Sequence, residues 1–362
     1  MLYGNHNRNL ACAAALLVVL VSFLIPAPSW AAPRVKPGIE VLRDSHFAHL
    51  KGKRVALLTN PTGVDSRLRS TIDILYTAPE VNLVALFAPE HGVRGDVYAG
   101  DKVSEGRDRL TGLKVHSLYG GTRKPTPQML SGIDVMVYDI QDVGCRSYTF
   151  ISSLGLVMEA CAQAGVEVMV LDRPNPLGGE KVEGCIVEDG CRSFISQYPI
   201  PYIYGLTVGE LAMMLNDAPS AARCKLTVIP MEGWERNMTF DDTGLPWVPT
   251  SPHVPEASSA LFYPITGFIG ELSGYVCIGV GYTLPFKLFA SEWISDPDLF
   301  ARHMNALNLP GVSFRPIFLK PFYGSRKDMQ IGGVQIHITD YDKVRLTEIG
   351  FYLVQTAVGM YP

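Results

Sequence analysis

Four stretches of the chain decide its fold: RVALLTNPTG (54–63), LVALFAPEHG (83–92), IDVMVYDIQDVG (133–144) and VEVMVLDRPNP (166–176). Each begins with a short apolar run typical of a buried strand and ends in a polar cluster rich in Gly or Pro. If the four strands are parallel neighbours, their polar clusters meet at one edge of the sheet, where open α/β sheets bind ligands. We call this edge the rim. The side chains expected at the rim are Asn60, Glu90, His91, Asp139, Asp142, Asp172, Arg173 and Asn175.

Helical periodicity alternates with these strands. Apolar residues spaced three and four apart predict helices over residues 65–78 and 148–164, and Thr207 with a Glu three residues later predicts a capping box at the start of a helix over residues 207–216. Alternating strands and helices are typical of a parallel sheet covered on both faces. We therefore predict an α/β fold whose Rossmann-like, doubly wound, mostly parallel sheet occupies residues 38–220.

The second half of the chain has a less regular pattern, in which Pro and Gly are frequent. A strand over residues 333–338 and a final helix over residues 347–361 are its clearest elements. These features predict a second, smaller α+β domain over residues 225–362.

Composition and charge limit the functions that the chain can have. Of its 362 residues, 47% are hydrophobic and 18% are charged, as in one large or two medium-sized globular domains. A net charge of −4 without a basic tract gives no reason to expect nucleic acid as a partner. Neither a GxGxxG pattern after the first strand nor a Walker pattern occurs, so we expect no nucleotide and no other cofactor.

The N-terminus has the pattern of an export signal. Residues 10–25 are almost entirely apolar, and small residues follow them, with a predicted cleavage site at residues 29–31. We predict a signal peptide over residues 1–31, a periplasmic or secreted mature protein, and no membrane contact after cleavage. The alternative is an uncleaved membrane anchor.

Cleavage would leave six cysteines in a compartment that permits disulfides. Cys185 and Cys191 flank a turn-like segment and form the best placed pair. The other four lie in apolar runs and are expected to be buried, inert thiols. No Cys or His spacing indicates a zinc site.

Glu90 is the best placed group for acid–base chemistry. It directly follows the second strand, and a carboxyl group held partly desolvated at a strand end can exchange a proton near neutral pH. Asp139 and Asp142 follow the third strand and can supply a second carboxylate across the pocket. The alternative for each of the three is a structural role, in which the carboxylate accepts hydrogen bonds from the surrounding loops.

Two arginines near the rim, Arg146 and Arg173, can bind a substrate carboxylate through paired hydrogen bonds. Each can equally neutralise the neighbouring aspartates. His91, Asp139 and Asp142 have the chemistry of metal ligands but not a recognised metal-binding spacing, and we predict no metal.

Taken together, the motifs resemble the NamZ family of exo-acting β-N-acetylmuramidases. The resemblance is carried by GKRVALLTNPTGVD (52–65), LVALFAPEHGVRGD (83–96), GIDVMVYDIQDVGCRSYTFIS (132–152) and VLDRPNPLGG (170–179). It extends from about Gly38 to the C-terminus, and the combination of four motifs is specific where no single motif is.

The resemblance implies a Rossmann-like N-terminal domain, a C-terminal auxiliary domain and a cleft at their junction. It implies an exo-acting glycosidase that releases N-acetylmuramic acid from the non-reducing ends of peptidoglycan fragments. On this basis Glu90 is the candidate acid/base residue, and Asp139 and Asp142 are the further catalytic candidates. The substrate-binding candidates, taken from the motifs and the rim, are Asn60, His91, Arg94, Gln141, Arg146, Arg173 and Asn175.

The chain departs from the family pattern in its second half. His253 replaces the usual Asn after Ser-Pro, and residues 270–286 lack most of the acidic and basic residues that the family has there, with Glu271 as the nearest substitute. If the missing residues are required for catalysis, the chain is a non-catalytic binder of cell-wall sugar fragments. This is the alternative to the enzyme.

Aromatic residues of the second half allow two interpretations. They can form a stacking platform for a sugar ring, or they can belong to the core of the α+β domain, which is the more common role and the one we favour. The residues concerned are Tyr263, Trp293, Phe318, Phe322 and Tyr323.

Overall fold

The computed structural model describes residues 35–95, 106–218, 222–272 and 274–362, so the predicted signal peptide lies outside the described residues. The first half contains a seven-stranded sheet with the order β3-β4-β2-β1-β5-β6-β7, in which only β3 is antiparallel to its neighbour. Its strands are β1 (Arg54–Thr59), β2 (Asn82–Ala88), β3 (Gly106–Arg107), β4 (Lys114–Ser117), β5 (Val135–Asp139), β6 (Glu167–Leu171) and β7 (Leu226–Ile229).

Helices cover both faces of this sheet because successive strand residues point to opposite sides. Ala56 and Leu58 of β1 pack in a core that includes residues of α4 and α5, whereas Val55 and Leu57 pack in a second core with α1 and α2. The helices are α1 (Gly38–Asp44), α2 (Thr71–Thr77), α3 (Pro127–Leu130), α4 (Phe150–Ala164) and α5 (Val208–Asp217). The predicted doubly wound, mostly parallel α/β sheet is confirmed.

The second half contains a three-stranded antiparallel sheet with the order β8-β10-β9 and three helices. Its elements are α6 (Ala257–Thr266), a 3₁₀ helix (Gly267–Leu272), β8 (Leu288–Ser291), α7 (Pro297–Ala306), β9 (Val312–Leu319), β10 (Ile331–Ile338) and α8 (Leu346–Met360). The core of this half also takes in Val143, Cys145, Leu177 and Ile203 from the first half. The second half therefore packs directly against the rim, while the predicted boundary between residues 220 and 225 stays a prediction.

Most of the predicted helices occur where we expect them. Gly165 ends α4 in the left-handed conformation (φ 69°), which a glycine adopts at little cost. The capping box of α5 is present in both directions: the Thr207 hydroxyl accepts from the Glu210 amide, and the Glu210 carboxylate accepts from the Thr207 amide. The predicted final helix corresponds to α8.

The helix predicted over residues 65–78 begins later than expected. The Asp65 carboxylate accepts hydrogen bonds from the backbone amides of Arg67 and Arg69, which closes a loop instead of capping a helix. Leu68 has a positive φ of 62°, so the helical conformation is interrupted there. The helix starts only at Thr71, with Ser70 as its cap.

The described cysteines are free thiols. Four of them are buried, as expected, but the predicted pairing of Cys185 with Cys191 is not present, and both thiols are exposed. Among the helices that the structure describes, none combines the length and the apolar composition needed to span a bilayer.

Two Arg–Asp pairs at opposite ends of the sheet provide a matched stability test. Arg173 pairs with Asp139 in the interior, and Arg54 pairs with Asp134 at the surface. We expect Arg173→Met to lower the free energy of unfolding by about 3–5 kcal/mol, because it leaves the Asp139 carboxylate buried without a cation. Arg54→Met should cost much less, since water solvates both partners of that pair. Urea denaturation of the two variants measures the difference, and equal losses would contradict the assignment.

Candidate active site

The strand order creates a crevice at the rim. From β1 the sheet continues to β2 and β4 on one side and to β5, β6 and β7 on the other, so the loops that follow β1 and β5 diverge. In open parallel sheets such a switch point is where ligands bind. The four polar clusters follow β1, β2, β5 and β6, which are adjacent and parallel, so they meet at this edge as expected.

Glu90 lies at the end of β2, partly buried, and side chains from two neighbouring segments hold it. The Thr149 hydroxyl, next to the start of α4, donates a hydrogen bond to Oε2 at 3.0 Å. Tyr119 follows β4 and is hydrogen-bonded to Glu90; burial, and then the negative charge of Glu90, raise the pKa of Tyr119 to about 12. Burial, with a smaller contribution from the charge of Glu90, also raises the pKa of Tyr263 in α6. The carboxylate is thus fixed by the first half and faces the second.

His91 extends this site towards the second half. It is buried and has a φ of 72°, a left-handed conformation that is uncommon for a residue other than glycine and is concentrated at functional sites. Burial, with a smaller contribution from His91, lowers the pKa of His253. The His253 ring stacks on Tyr323 at 6.1 Å between centroids and 18° between planes. A residue of each half therefore lines this side of the crevice.

Asp139 is fully buried and its carboxylate is engaged on both oxygens. Arg173 donates to Oδ1 through Nε and to Oδ2 through Nη2, the latter at 3.0 Å, and the Thr71 hydroxyl donates to Oδ2. Arg173 also donates to the Val64 carbonyl at 2.8 Å. This arrangement connects β5, β6, α2 and the loop after β1, and it gives Asp139 a clear role in positioning the rim.

Asp142 differs from Asp139 because no cation accompanies it. Burial raises the pKa of Asp142 to about 7, although the Tyr204 hydroxyl, which donates to Oδ2 at 3.0 Å, and the backbone amides of Val143 and Gly144 partly offset the effect. Its Oδ1 and the Nδ2 of Asn60 are buried polar atoms without a hydrogen-bond partner among the described residues. The two loops that hold them are joined by the Gln141 amide, which donates to Thr62 Oγ1 at 2.8 Å. Unsatisfied buried polar atoms are costly, so these two require an explanation.

Comparison with known proteins identifies the family of the chain. The family model "Exo-beta-N-acetylmuramidase NamZ, N-terminal" matches residues 55–258, and the corresponding C-terminal model matches residues 261–362. The chain belongs to the NamZ family. The predicted family and the predicted class of enzyme, a glycosidase of the exo-β-N-acetylmuramidase type, are thereby confirmed.

Individual relatives of this NamZ family member support the same conclusion. Peptidoglycan β-N-acetylmuramidase NamZ of Bacillus subtilis (strain 168) is 45% identical over 330 residues, which is 91% of this chain and 79% of that protein. A crystal structure of a DUF1343 family protein from Bacteroides fragilis is 56% identical, with a TM-score of 0.87 over 91% of this chain and 84% of the other. A second such protein from the same organism is 30% identical, with a TM-score of 0.68 over 83% and 76% of the two chains.

Several predicted ligand residues of this NamZ family member serve the framework of the rim. Arg94 pairs with Asp108 at 2.9 Å. The Arg146 guanidinium donates to the carbonyls of Cys185 and Ile200. The Asn175 side chain accepts from the Leu177 amide and donates to the Leu206 carbonyl, and the Gln141 side chain donates to the carbonyls of Asp142 and Pro174. Asp172 accepts from the Thr207 hydroxyl and the Gly209 amide, which ties β6 to α5.

Sequence reasoning missed two side chains that contact Glu90, and a third that adjoins one of these two. Tyr119 follows a strand too short to recognise, and Thr149 lies just before a helix, where its hydroxyl has no sequence signature as a ligand of Glu90. Arg123 places its guanidinium over the rings of Tyr119 and Phe194, at 5.8 Å and 4.1 Å from their centroids. Arg123 is exposed, and within the described part of the chain it forms no salt bridge with a carboxylate.

A second depression lies on the other side of the rim. Its polar lining includes Thr62, Gln141 and Arg173. Phe240 and Leu245 form part of its apolar wall. Arg173 and Gln141 therefore face a different part of the rim from the groups that contact Glu90.

The part of the chain that the structure describes holds no group of three His, Cys, Asp or Glu side chains that could bind a metal ion. The carboxylate of Asp139 is engaged with Arg173 and Thr71, and Asp142 is hydrogen-bonded to Tyr204. The arrangement gives no support to the metal alternative built on these two residues and His91. The Glu271 side chain, the candidate substitute for a missing carboxylate, lies outside the described side chains.

The raised pKa of Asp142 predicts a specific dependence of stability on pH. Its pKa is about 7 in the folded protein and near 3.8 in the unfolded chain, so between these values the unfolded state binds fewer protons and stability falls as the pH rises. Asp142→Asn removes this penalty. We expect the variant to gain on the order of 2–4 kcal/mol relative to the parent between about pH 4 and pH 7, as measured by urea denaturation.

The control is a carboxylate whose pKa is lowered by folding, so its effect on the pH dependence of stability has the opposite sign. Arg54 lowers the pKa of Asp134 to about 2, so Asp134 contributes stability above pH 4 that is lost as the pH falls towards 2. Asp134→Asn should therefore be less stable than the parent at neutral pH and equal to it near pH 2. A difference for Asp142→Asn that does not change with pH would contradict a buried carboxyl group that has no cation beside it.

Proposed function

We propose that the protein is an exported exo-glycosidase that releases N-acetylmuramic acid from the non-reducing ends of peptidoglycan fragments, with Glu90 as the general acid. The observation that carries the proposal is the setting of Glu90: a strand-end carboxylate held by Thr149 and Tyr119 and facing residues of the second half. The substrate is inferred from the family and from the Bacillus subtilis relative, whose printed name describes action on peptidoglycan.

Of the two aspartates proposed as further catalytic groups, Asp142 fits the second carboxyl group better than Asp139. Both oxygens of Asp139 are used by Arg173 and Thr71, whereas Oδ1 of Asp142 has no partner among the described residues. A carboxyl group with a pKa of about 7 can donate or accept a hydrogen bond at neutral pH. We therefore assign Asp142, or the acetamido group of the substrate itself, to assist Glu90, and Asp139 to position the rim.

Export is part of the proposal. It is supported by the apolar run over residues 10–25, by the small residues that follow it, and by a substrate that lies outside the cytoplasmic membrane. Periplasmic and secreted locations are both compatible with this N-terminus.

Replacement of Glu90 tests the proposed activity. We expect the protein to release the chromophore from a β-N-acetylmuramide, and we expect Glu90→Gln to abolish release because the amide cannot supply a proton to the leaving oxygen. The matched control is Glu80→Gln, which changes an exposed Glu ahead of the same strand and should leave the rate unchanged. Turnover that survives Glu90→Gln would contradict the assignment of the acid. A parent protein that binds the muramide in a calorimeter without cleaving it would favour the non-catalytic binder.

Arg123 is the group we assign to recognition of the muramyl carboxylate. N-acetylmuramic acid differs from N-acetylglucosamine by a lactyl ether that ends in a carboxylate, and Arg146 and Arg173 are already used within the framework. Arg123 is held by two rings and adjoins Tyr119, which contacts Glu90. A guanidinium in this place favours an anionic sugar over a neutral one.

The selectivity of the enzyme tests this assignment. Arg123→Gln should reduce kcat/KM for the β-N-acetylmuramide about ten-fold, the effect of losing one charge-assisted hydrogen bond, without lowering the rate on the matching β-N-acetylglucosaminide. Arg302→Gln changes an exposed arginine of α7 and serves as the control. Equal losses on both substrates would assign Arg123 to the fold instead of to selectivity.

A further inference from the structure

Four rings of the second half form a continuous line, which we call the aromatic row: His253, Tyr323, Phe322 and Tyr282. The His253 and Tyr323 rings stack at 6.1 Å, Tyr323 and Phe322 lie 5.5 Å apart, and Phe322 and Tyr282 lie 6.3 Å apart. The predicted burial of Phe322 and Tyr323 in the core is wrong, since 53% of Phe322 and 42% of Tyr323 are exposed. Neighbouring exposed aromatic rings on a protein surface commonly mark a binding site.

The row begins at the candidate active site and opens towards solvent. His253 is close enough to His91 for the two rings to influence each other electrostatically, and His91 is the residue after Glu90. Exposure then increases from the buried His91 through the half-buried His253 to Tyr323 and Phe322, and Tyr282 at the end of the row is half-buried against the core of the small sheet. A ligand whose end lies at Glu90 would therefore continue along these rings.

The backbone of Phe322 and Tyr323 packs closely against the backbone of Gly281. The Phe322 amide donates to the Gly281 carbonyl at 2.9 Å, and a Cβ on Gly281 would lie 2.4 Å from the Tyr323 carbonyl oxygen. Gly281 also has a φ of 93°, which strongly favours glycine. Gly281 and Tyr282 belong to the 270–286 stretch, so this stretch supplies one ring of the row and part of its support.

We propose that the aromatic row binds the sugar unit on the far side of the cleaved bond, the part of the saccharide that remains after N-acetylmuramic acid is released. The proposal rests on the proposed function. Sugar rings present a face of C–H groups that packs on an aromatic ring, while their hydroxyls stay in water. A row of partly exposed rings that leads away from the acid suits such a chain better than it suits a small leaving group.

Binding to an inactive protein tests the row without relying on turnover. In the Glu90→Gln background, calorimetry compares the N-acetylmuramic acid monosaccharide with the β-1,4-linked N-acetylmuramyl-N-acetylglucosamine disaccharide. We expect Tyr323→Ala and Phe322→Ala each to raise the Kd of the disaccharide about ten-fold, as loss of one stacking contact does, and to leave the Kd of the monosaccharide unchanged. Tyr323→Phe, which keeps the ring, should retain the affinity. Phe351→Ala, which removes an exposed ring that packs on Phe268 instead, should change neither Kd.

Three outcomes would overturn the proposal: equal affinity for the two saccharides, no detectable binding of either, or a disaccharide Kd that is the same in Tyr323→Ala and Phe351→Ala. If Phe322→Ala instead abolishes a concentration-dependent dimer without changing saccharide affinity, the row is a contact between two copies of the chain. Failure of the proposed function is distinguishable from all of these. An inactive parent protein with ring-dependent disaccharide binding would contradict catalysis and still support the row.

Discussion

The buried ion pair between Asp139 and Arg173 is the constraint on which the geometry of the rim depends. A carboxylate removed from water must keep its cation, so the ends of β5 and β6 cannot separate without a large loss of stability. The pair also fixes the loop after β1 through the Val64 carbonyl, and it fixes α2 through Thr71. Gly63 completes this packing, because a Cβ there would lie 2.1 Å from Thr59 Oγ1. Since β2 pairs directly with β1, the position of Glu90 follows from the same constraint.

This constraint separates two kinds of polar residue at the rim. Loops that pack beneath a second domain bury backbone groups, and these need hydrogen-bond partners. Arg146 and Asn175 supply such partners. This explains why residues whose side chains could bind a substrate are instead hydrogen-bonded to the backbone of the loops. Among the described residues at the rim, Oδ1 of Asp142 and Nδ2 of Asn60 have no hydrogen-bond partner, and the guanidinium of Arg123 lies over two rings. A site can be specific with so small a set because the framework holds each member in one orientation.

The sheet could be predicted where its strands are apolar on both faces, as β1, β2, β5 and β6 are, and the position of Glu90 followed from the end of β2. The strand β4 could not be predicted, because its four residues include Lys, His and Ser and show no clear period. Tyr119 follows that strand, so its contact with Glu90 was hidden as well. The parts played by His253 and Tyr263 depend on packing between the two halves, which local sequence patterns do not encode. Exposure of Phe322 was misjudged because composition favours a core position for aromatic residues in general.

The two halves contribute different properties to the site. The hydrogen-bonded contacts of Glu90 that fix its carboxylate come from the first half, through Thr149 and Tyr119, whereas His253 and the rest of the aromatic row belong to the second. The aromatic row proposed to carry the saccharide therefore lies on a different half of the protein from the contacts that set the acid. Aromatic rings offer contact area that is tolerant of sugar identity, whereas the acid must meet one bond. Chemistry at the bond and selection of the chain beyond it can therefore vary independently in this fold, because different halves of the protein hold them.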